Sequence, residues 1–172
     1  TLLILPIHFT TIDSQPLFLP YRQELAALSQ DERKYIVIEI LSVPDVLPAF
    51  RIKELVARLH PLVRCILVQL PPDFVHIGHW TESGILGVGF AVGEEKLSEK
   101  LLMEKMDTLA ASAEKVGVHA YVHDLATISL ATAAVASGFR YVGGEAIFPE
   151  SEVPNPIEPF ECQNIFARVI GT

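Results

Sequence analysis

The feature that most restricts what this chain can become is the alternation of element types between Leu101 and Pro149. A helical stretch ends at Gly117, the apolar run Val118-His119-Ala120-Tyr121-Val122 follows, and His123-Asp124 close it. An Ala-rich helical stretch then reaches Gly138, and Phe139-Arg140-Tyr141-Val142 opens another apolar run before Gly143-Gly144. Glycine just past a helix suits the left-handed position that ends it. Short apolar runs between amphipathic helices predict parallel strands buried on both faces. The unit is βαβ, and the whole chain reads as a series of such units.

Upstream, Leu2 to Phe9 is a candidate strand in which Pro6 requires an edge, a bulge or a strand start. Asp13-Ser14 can cap a helix to about Ser29, with a kink or late start at Pro20. Tyr35 to Leu41 is the second strand, with Glu39 its only charge. A helix over Asp45 to Leu59 carries the stripe Val46, Phe50, Leu55 and Leu59. Val63 to Leu70 is the third strand, ended by Pro71-Pro72. Phe74 to Ser83 reads as irregular or a short helix, and Gly84 to Val92 as a strand thinned by Gly87 and Gly89. The longest helix spans Glu94 to Val116, with Leu97, Leu101, Leu109, Ala113 and Val116 as its stripe. Phe160 to Ile170 can form a last helix or strand after a Pro- and Glu-rich stretch.

Six strands in 172 residues match, per unit, a (βα)₈ barrel short of two units, which in full takes about 250 residues. The expected class is therefore α/β, an incomplete or modified TIM-type barrel of six mainly parallel strands with helices outside. It forms one domain over 1–172, with 150–172 as a tail or last element. A doubly wound open sheet is the rival. The glycines between Gly84 and Gly93 lie within a strand instead of opening a helix, so they make a poor nucleotide loop.

Half the residues are apolar and the formal charge is −8, which argues against nucleic acid and anionic membranes as partners. No apolar run approaches a membrane span of ~20 residues. The opening Thr1 to Pro6 lacks the basic flank of a signal peptide, and without a starting Met the sequence reads as a piece of a longer chain. Cys65 and Cys162 read as thiols of a reducing compartment, so the expected location is cytoplasmic.

At the strand ends the order of residues resembles the EAL-domain cyclic-di-GMP phosphodiesterases. Val118 to Thr127 resembles that family's apolar strand followed by Ala-Glu-Gly-Val-Glu-Thr. Ala134 to Gly144, closed by Phe148-Pro149, resembles Leu-x-x-x-Gly-x-x-Tyr-Val-Gln-Gly and its closing Pro. Ile7-His8-Phe9-Thr10 falls where the family has Val-Asn-Val-Ser, and Ile38-Glu39-Ile40 where it has Leu-Glu-Ile-Thr-Glu. The resemblance implies a modified (βα)₈ barrel of which this chain covers the last six strands.

It also implies a site, and a poor one for the family's chemistry. Two-metal phosphodiesterases hold divalent cations with carboxylates and an Asn at the C-terminal ends of strands. Carried across, the Asn becomes His8, one Glu is kept as Glu39, and the Asp-Asp pair becomes Gln69-Leu70. The Lys-Ile-Asp segment falls near Gly87-Val88-Gly89, the Glu of Ala-Glu-Gly becomes His123, and the Gln of Gln-Gly becomes Gly143. One carboxylate cannot clamp two hard cations.

The expectation is thus a catalytically inactive EAL-like domain, without cofactor or metal, that works in bacterial cyclic-di-GMP-type signalling through a protein partner or as a homodimer. A cyclic-di-GMP receptor that binds without hydrolysis is the alternative. A metal-dependent hydrolase using His8, Glu39 and His123, with Asp124 or Glu145 contributing, is the second. The candidate ligand-binding residues at the barrel mouth are His8, Glu39, Gln69, His123 and Asp124. His76, His79 and Trp80 read as a loop packed on the rim.

Overall fold

The computed structural model describes residues 2–44, 46–71, 74, 77–93 and 97–148. His76, Cys162 and the tail from 149 onward, including the expected element at 160–170, lie outside the described residues. Six strands form one parallel sheet: β1 (Leu3–His8), β2 (Ile36–Leu41), β3 (Cys65–Gln69), β4 (Gly87–Ala91), β5 (His119–His123) and β6 (Tyr141–Val142). Their spatial order equals their chain order, and every neighbouring pair is parallel. A doubly wound sheet reverses direction at a switch point, so this order excludes it and matches consecutive barrel units. β1 and β6 are the edges among the described residues.

The helices α1 (Phe9–Asp13), α2 (Gln15–Ala27), α3 (Gln30–Arg33), α4 (Ala49–Leu59), α5 (Glu99–Val116) and α6 (Ile128–Ala136) cover one face. The strands alternate accordingly. Ile38, Ile40, Ile66, Val68, Val88, Phe90 and Val122 join Ile52, Leu59, Met106, Leu130 and Ala134 in the main core. The opposite parity makes a second, smaller cluster of Val37, Leu67 and Tyr121 on the inner face. Both faces are thus used, as the unbroken apolar strands require.

Three local expectations are corrected. Helix α4 starts at Ala49, after Pro48 as N-cap, and buries Ile52, Leu55, Val56 and Leu59. Val46 and Phe50 lie off that stripe and are exposed. In α5 the buried residues are Leu102, Met106, Leu109, Ala110 and Ala113, while Leu101 faces out. Helix α2 does not start late: it begins at Gln15 with Pro16 in its first turn, where a missing N–H costs nothing, and continues past Pro20 to Ala27. Gly117, at φ 76°, ends α5 left-handed as expected, whereas Ser14, at the N-cap of α2, makes no side-chain capping hydrogen bond; the cap of α6 is Thr127, which accepts from the Leu130 N–H.

Candidate functional site at the inner face of the sheet

The inner face holds the chemistry. Glu39, in the middle of β2, is buried, and charged groups are rarely found there unless paired. Its partners come from β5. The Tyr121 hydroxyl donates to Glu39 Oε1 at 2.7 Å, and His123 Nε2 lies 3.1 Å from the same oxygen. On the far side of the imidazole, Nδ1 is 3.1 Å from Asp124 Oδ2. Asp124 adopts φ 63°, which turns the chain at the end of β5 and brings its carboxylate back to its neighbour. The Tyr121 and His123 rings, two residues apart on one face, lie nearly parallel, with centroids 6.2 Å apart.

The electrostatics follow from this geometry. The hydrogen bond to Glu39 is the largest influence on His123, and burial opposes it. Asp124 adds to the pull, and the pKa rises to about 9. At neutral pH the ring is an imidazolium that donates to two carboxylates. Burial, reinforced by the neighbouring Glu39 charge, pushes the Tyr121 phenol up, so it stays protonated and can only donate to the carboxylate. Lower in the same trough, burial raises the Cys65 thiol.

Glu39 and Tyr121 lie on strands three apart, a separation of about 14 Å across a flat sheet. They meet because the sheet curls and because β4 has no side chain in the way. A Cβ on Gly89 would overlap the Tyr121 carbonyl oxygen and lie 2.5 Å from its Cγ, and one on Gly87 would lie 2.6 Å from the His119 carbonyl oxygen. The glycines that thin this strand give the phenol ring its path.

The curl also makes a trough of about 790 Å³ to which both edge strands contribute, Ile4 and Pro6 from β1 and Tyr141 and Gly143 from β6. Glu39 and His123 line it, with Arg64 at the opposite strand end. His8 and Gln69 share the inner face but not the cluster. The register neighbour of Glu39 on β1 is Pro6, and His8 stands two residues farther, opposite Leu41. Gln69 is likewise two residues beyond Leu67, which pairs with Glu39. Glu145 is exposed after β6. Among the described residues, no three His, Cys, Asp or Glu side chains are grouped so as to hold a metal ion. Tyr121 was missed by the sequence reading, although its parity with His123 and the glycines facing it on β4 carried the signal.

Comparison with known structures fits this architecture. Structures similar to the chain include the Bacillus subtilis YkuI protein, with an EAL domain, in complex with substrate c-di-GMP and calcium. There the identity is 14% over 98% of this chain and 43% of that one, at a TM-score of 0.66. The fold is that of EAL domains. The Xanthomonas citri FimX EAL domain in complex with c-di-GMP matches at 11% identity over 91% of this chain and 63% of its own, TM-score 0.60. The EAL enzyme Bd1971 in its cAMP-bound form matches at 13% over 84% and 39%, TM-score 0.60. The chain therefore spans less than two thirds of each of these EAL structures. No protein-family model and no curated protein matches the sequence. No helix among the described residues is long and apolar enough to cross a membrane.

Proposed function

We propose that this chain is a catalytically silent EAL-type domain of cyclic-di-GMP signalling that acts by protein contact. The observation that carries the reading is the occupancy of Glu39. This is the one carboxylate that aligns with a family ligand, and its Oε1 is held by a phenol hydroxyl and an imidazolium. A divalent cation there would meet a positive ring in place of the oxygen ligands it prefers. The exposed apolar edge of β1, with Leu2, Leu3 and Ile4, and the exposed Tyr141 of β6 support a protein as the partner, since unpaired edges invite pairing. A second copy of the chain is the proposed partner.

The test is hydrolysis of cyclic-di-GMP with Mg²⁺ or Mn²⁺, for which no turnover is expected. Turnover that disappears in Glu39→Ala would overturn the reading. One observation favours a second reading, a receptor that binds without cleaving: the trough falls within the ~300–1,000 Å³ of ligand pockets and carries cations at both ends, His123 and Arg64. Calorimetry with cyclic-di-GMP decides between them, and binding lost in His123→Gln would favour the receptor.

A further inference from the structure

A second cavity lies on the opposite side of the sheet, between α2 and α4. It measures about 500 Å³, and its lining includes Arg22, Arg51 and Arg58, the carboxylates Asp13 and Glu54, and the apolar Phe18 and Leu19. Three of the chain's seven arginines thus converge on one groove of a protein whose formal charge is −8.

The three arginines are not equivalent. Arg51 is a strut: its Nη2 meets Asp13 Oδ1 and its Nη1 meets Glu54 Oε2, each at 2.5 Å. The Asp13 contact ties α4 to the end of α1, Glu54 pairs with Arg51 within α4, and together they leave Arg51 little to offer. Arg58 is held by a different contact, its guanidinium 4.6 Å from the centroid of the buried Phe18 ring. Such stacking fixes the plane of the guanidinium without using its N–H groups. Arg22, on α2, has no carboxylate partner among the described residues, and neither has Arg58. The groove therefore holds two cations with unspent donors, one of them pre-oriented.

We infer that this groove is a binding site for a small molecule bearing a phosphate monoester. The chemistry selects the ligand class. A phosphate monoester carries nearly two charges at neutral pH and three acceptor oxygens, so it can engage two guanidinium forks at once. A carboxylate or a phosphodiester carries one charge, which a single arginine satisfies. The exposed Leu19 beside the arginines offers an apolar surface for the body of such a ligand, and the volume suits a nucleotide-sized molecule. The inference does not depend on what the inner trough does.

The test is titration of the 172-residue chain with GMP, with inorganic phosphate as the minimal probe and 3′,5′-cyclic GMP as the singly charged diester, followed by calorimetry and by NMR of the arginine side chains. GMP should bind more tightly than 3′,5′-cyclic GMP, move the Arg22 and Arg58 side-chain signals, and weaken by about tenfold when pH falls from 7.5 to 5, as the second phosphate proton goes on. Arg22→Ala alters an arginine without a carboxylate partner and should cut affinity about tenfold, or 1.4 kcal/mol, while leaving the melting temperature in place. Inorganic phosphate binding as tightly as GMP would show that the anion alone is recognised and would overturn the nucleotide-sized ligand. No GMP binding at millimolar concentration, or binding lost in His123→Gln but kept in Arg22→Ala, would overturn the site.

Discussion

Tyr121 on β5 donates its hydroxyl to Glu39 on β2, bridging two intervening strands at 2.7 Å. The contact ties the curvature of the sheet to one polar pair, because on a flat sheet the two side chains could not meet. Removing the hydroxyl while keeping the ring isolates its contribution. Tyr121→Phe leaves Glu39 buried with only His123 to hold it, and hydrogen bonds to charged groups are worth about 1.5–3 kcal/mol. A loss of about 2 kcal/mol in urea unfolding, with an unchanged m-value, is expected. A loss below about 0.5 kcal/mol would mean that water takes the place of the phenol at Glu39.

Gly89 is the position that lets this happen. Gly89→Ala would place a methyl group against the Tyr121 backbone and the root of its ring, 2.5 Å from Cγ. The strand cannot yield to backbone on one side and the Tyr121 ring on the other, so overpacking should cost about 3 kcal/mol. Gly117→Ala is the control: it meets no atom within 4 Å but must hold φ 76°, and should cost about 1 kcal/mol. Thermal unfolding of the two variants should rank Gly89→Ala as clearly the worse.

How far these features were legible in the sequence differs by level. The strand order was readable because the glycines after α5 and α6 and the unbroken apolar strands leave few other arrangements. The barrel reading put the site at the strand ends, and the resemblance placed both Glu39 and His123 there. Neither carried the register offset that leaves His8 opposite Leu41 and away from Glu39, since register depends on the pairing of residues far apart in the chain. The groove between α2 and α4 was illegible for a similar reason. Asp13 and Arg51 are separated by 38 positions, and nothing local marks them as partners.

The edge of β1 gives a prediction about assembly. Leu2, Leu3 and Ile4 are about half exposed, at 48, 54 and 51%, and β1 has one neighbour among the described residues. Light scattering should therefore show a concentration-dependent dimer. Ile4→Lys, which sets a charge on that edge, should shift the equilibrium toward monomer by about tenfold or more, because charged edge residues block strand pairing. A clean monomer at all concentrations would remove the second copy as the partner.

The last prediction concerns pH. His123 is raised from its ordinary value of 6.5 to about 9, first by its hydrogen bond to Glu39 and then by Asp124. A group whose pKa is higher in the folded than in the unfolded chain binds its proton more tightly when folded. Its contribution to stability is therefore complete below pH 6.5 and declines as pH rises toward 9 and beyond. Between these values the unfolded chain loses the proton while the folded chain keeps it, and above about 9 the folded chain loses it as well. Glu39 is then left buried beside a neutral ring whose single N–H can serve either it or Asp124 but not both, alongside the Tyr121 hydroxyl. The wild-type melting temperature should fall steadily from pH 6.5 to 9.5, by several degrees for a domain of this size. His123→Gln keeps a neutral donor at this position and removes the titration, so it should be less stable than wild type at pH 6 and show a much flatter profile. The pKa of His123 read by NMR in Asp124→Asn should drop by less than in Glu39→Gln, because Glu39 supplies the larger pull. Equal drops would place the two carboxylates on the same footing and would mean that the exposed partner holds the ring as firmly as the buried one.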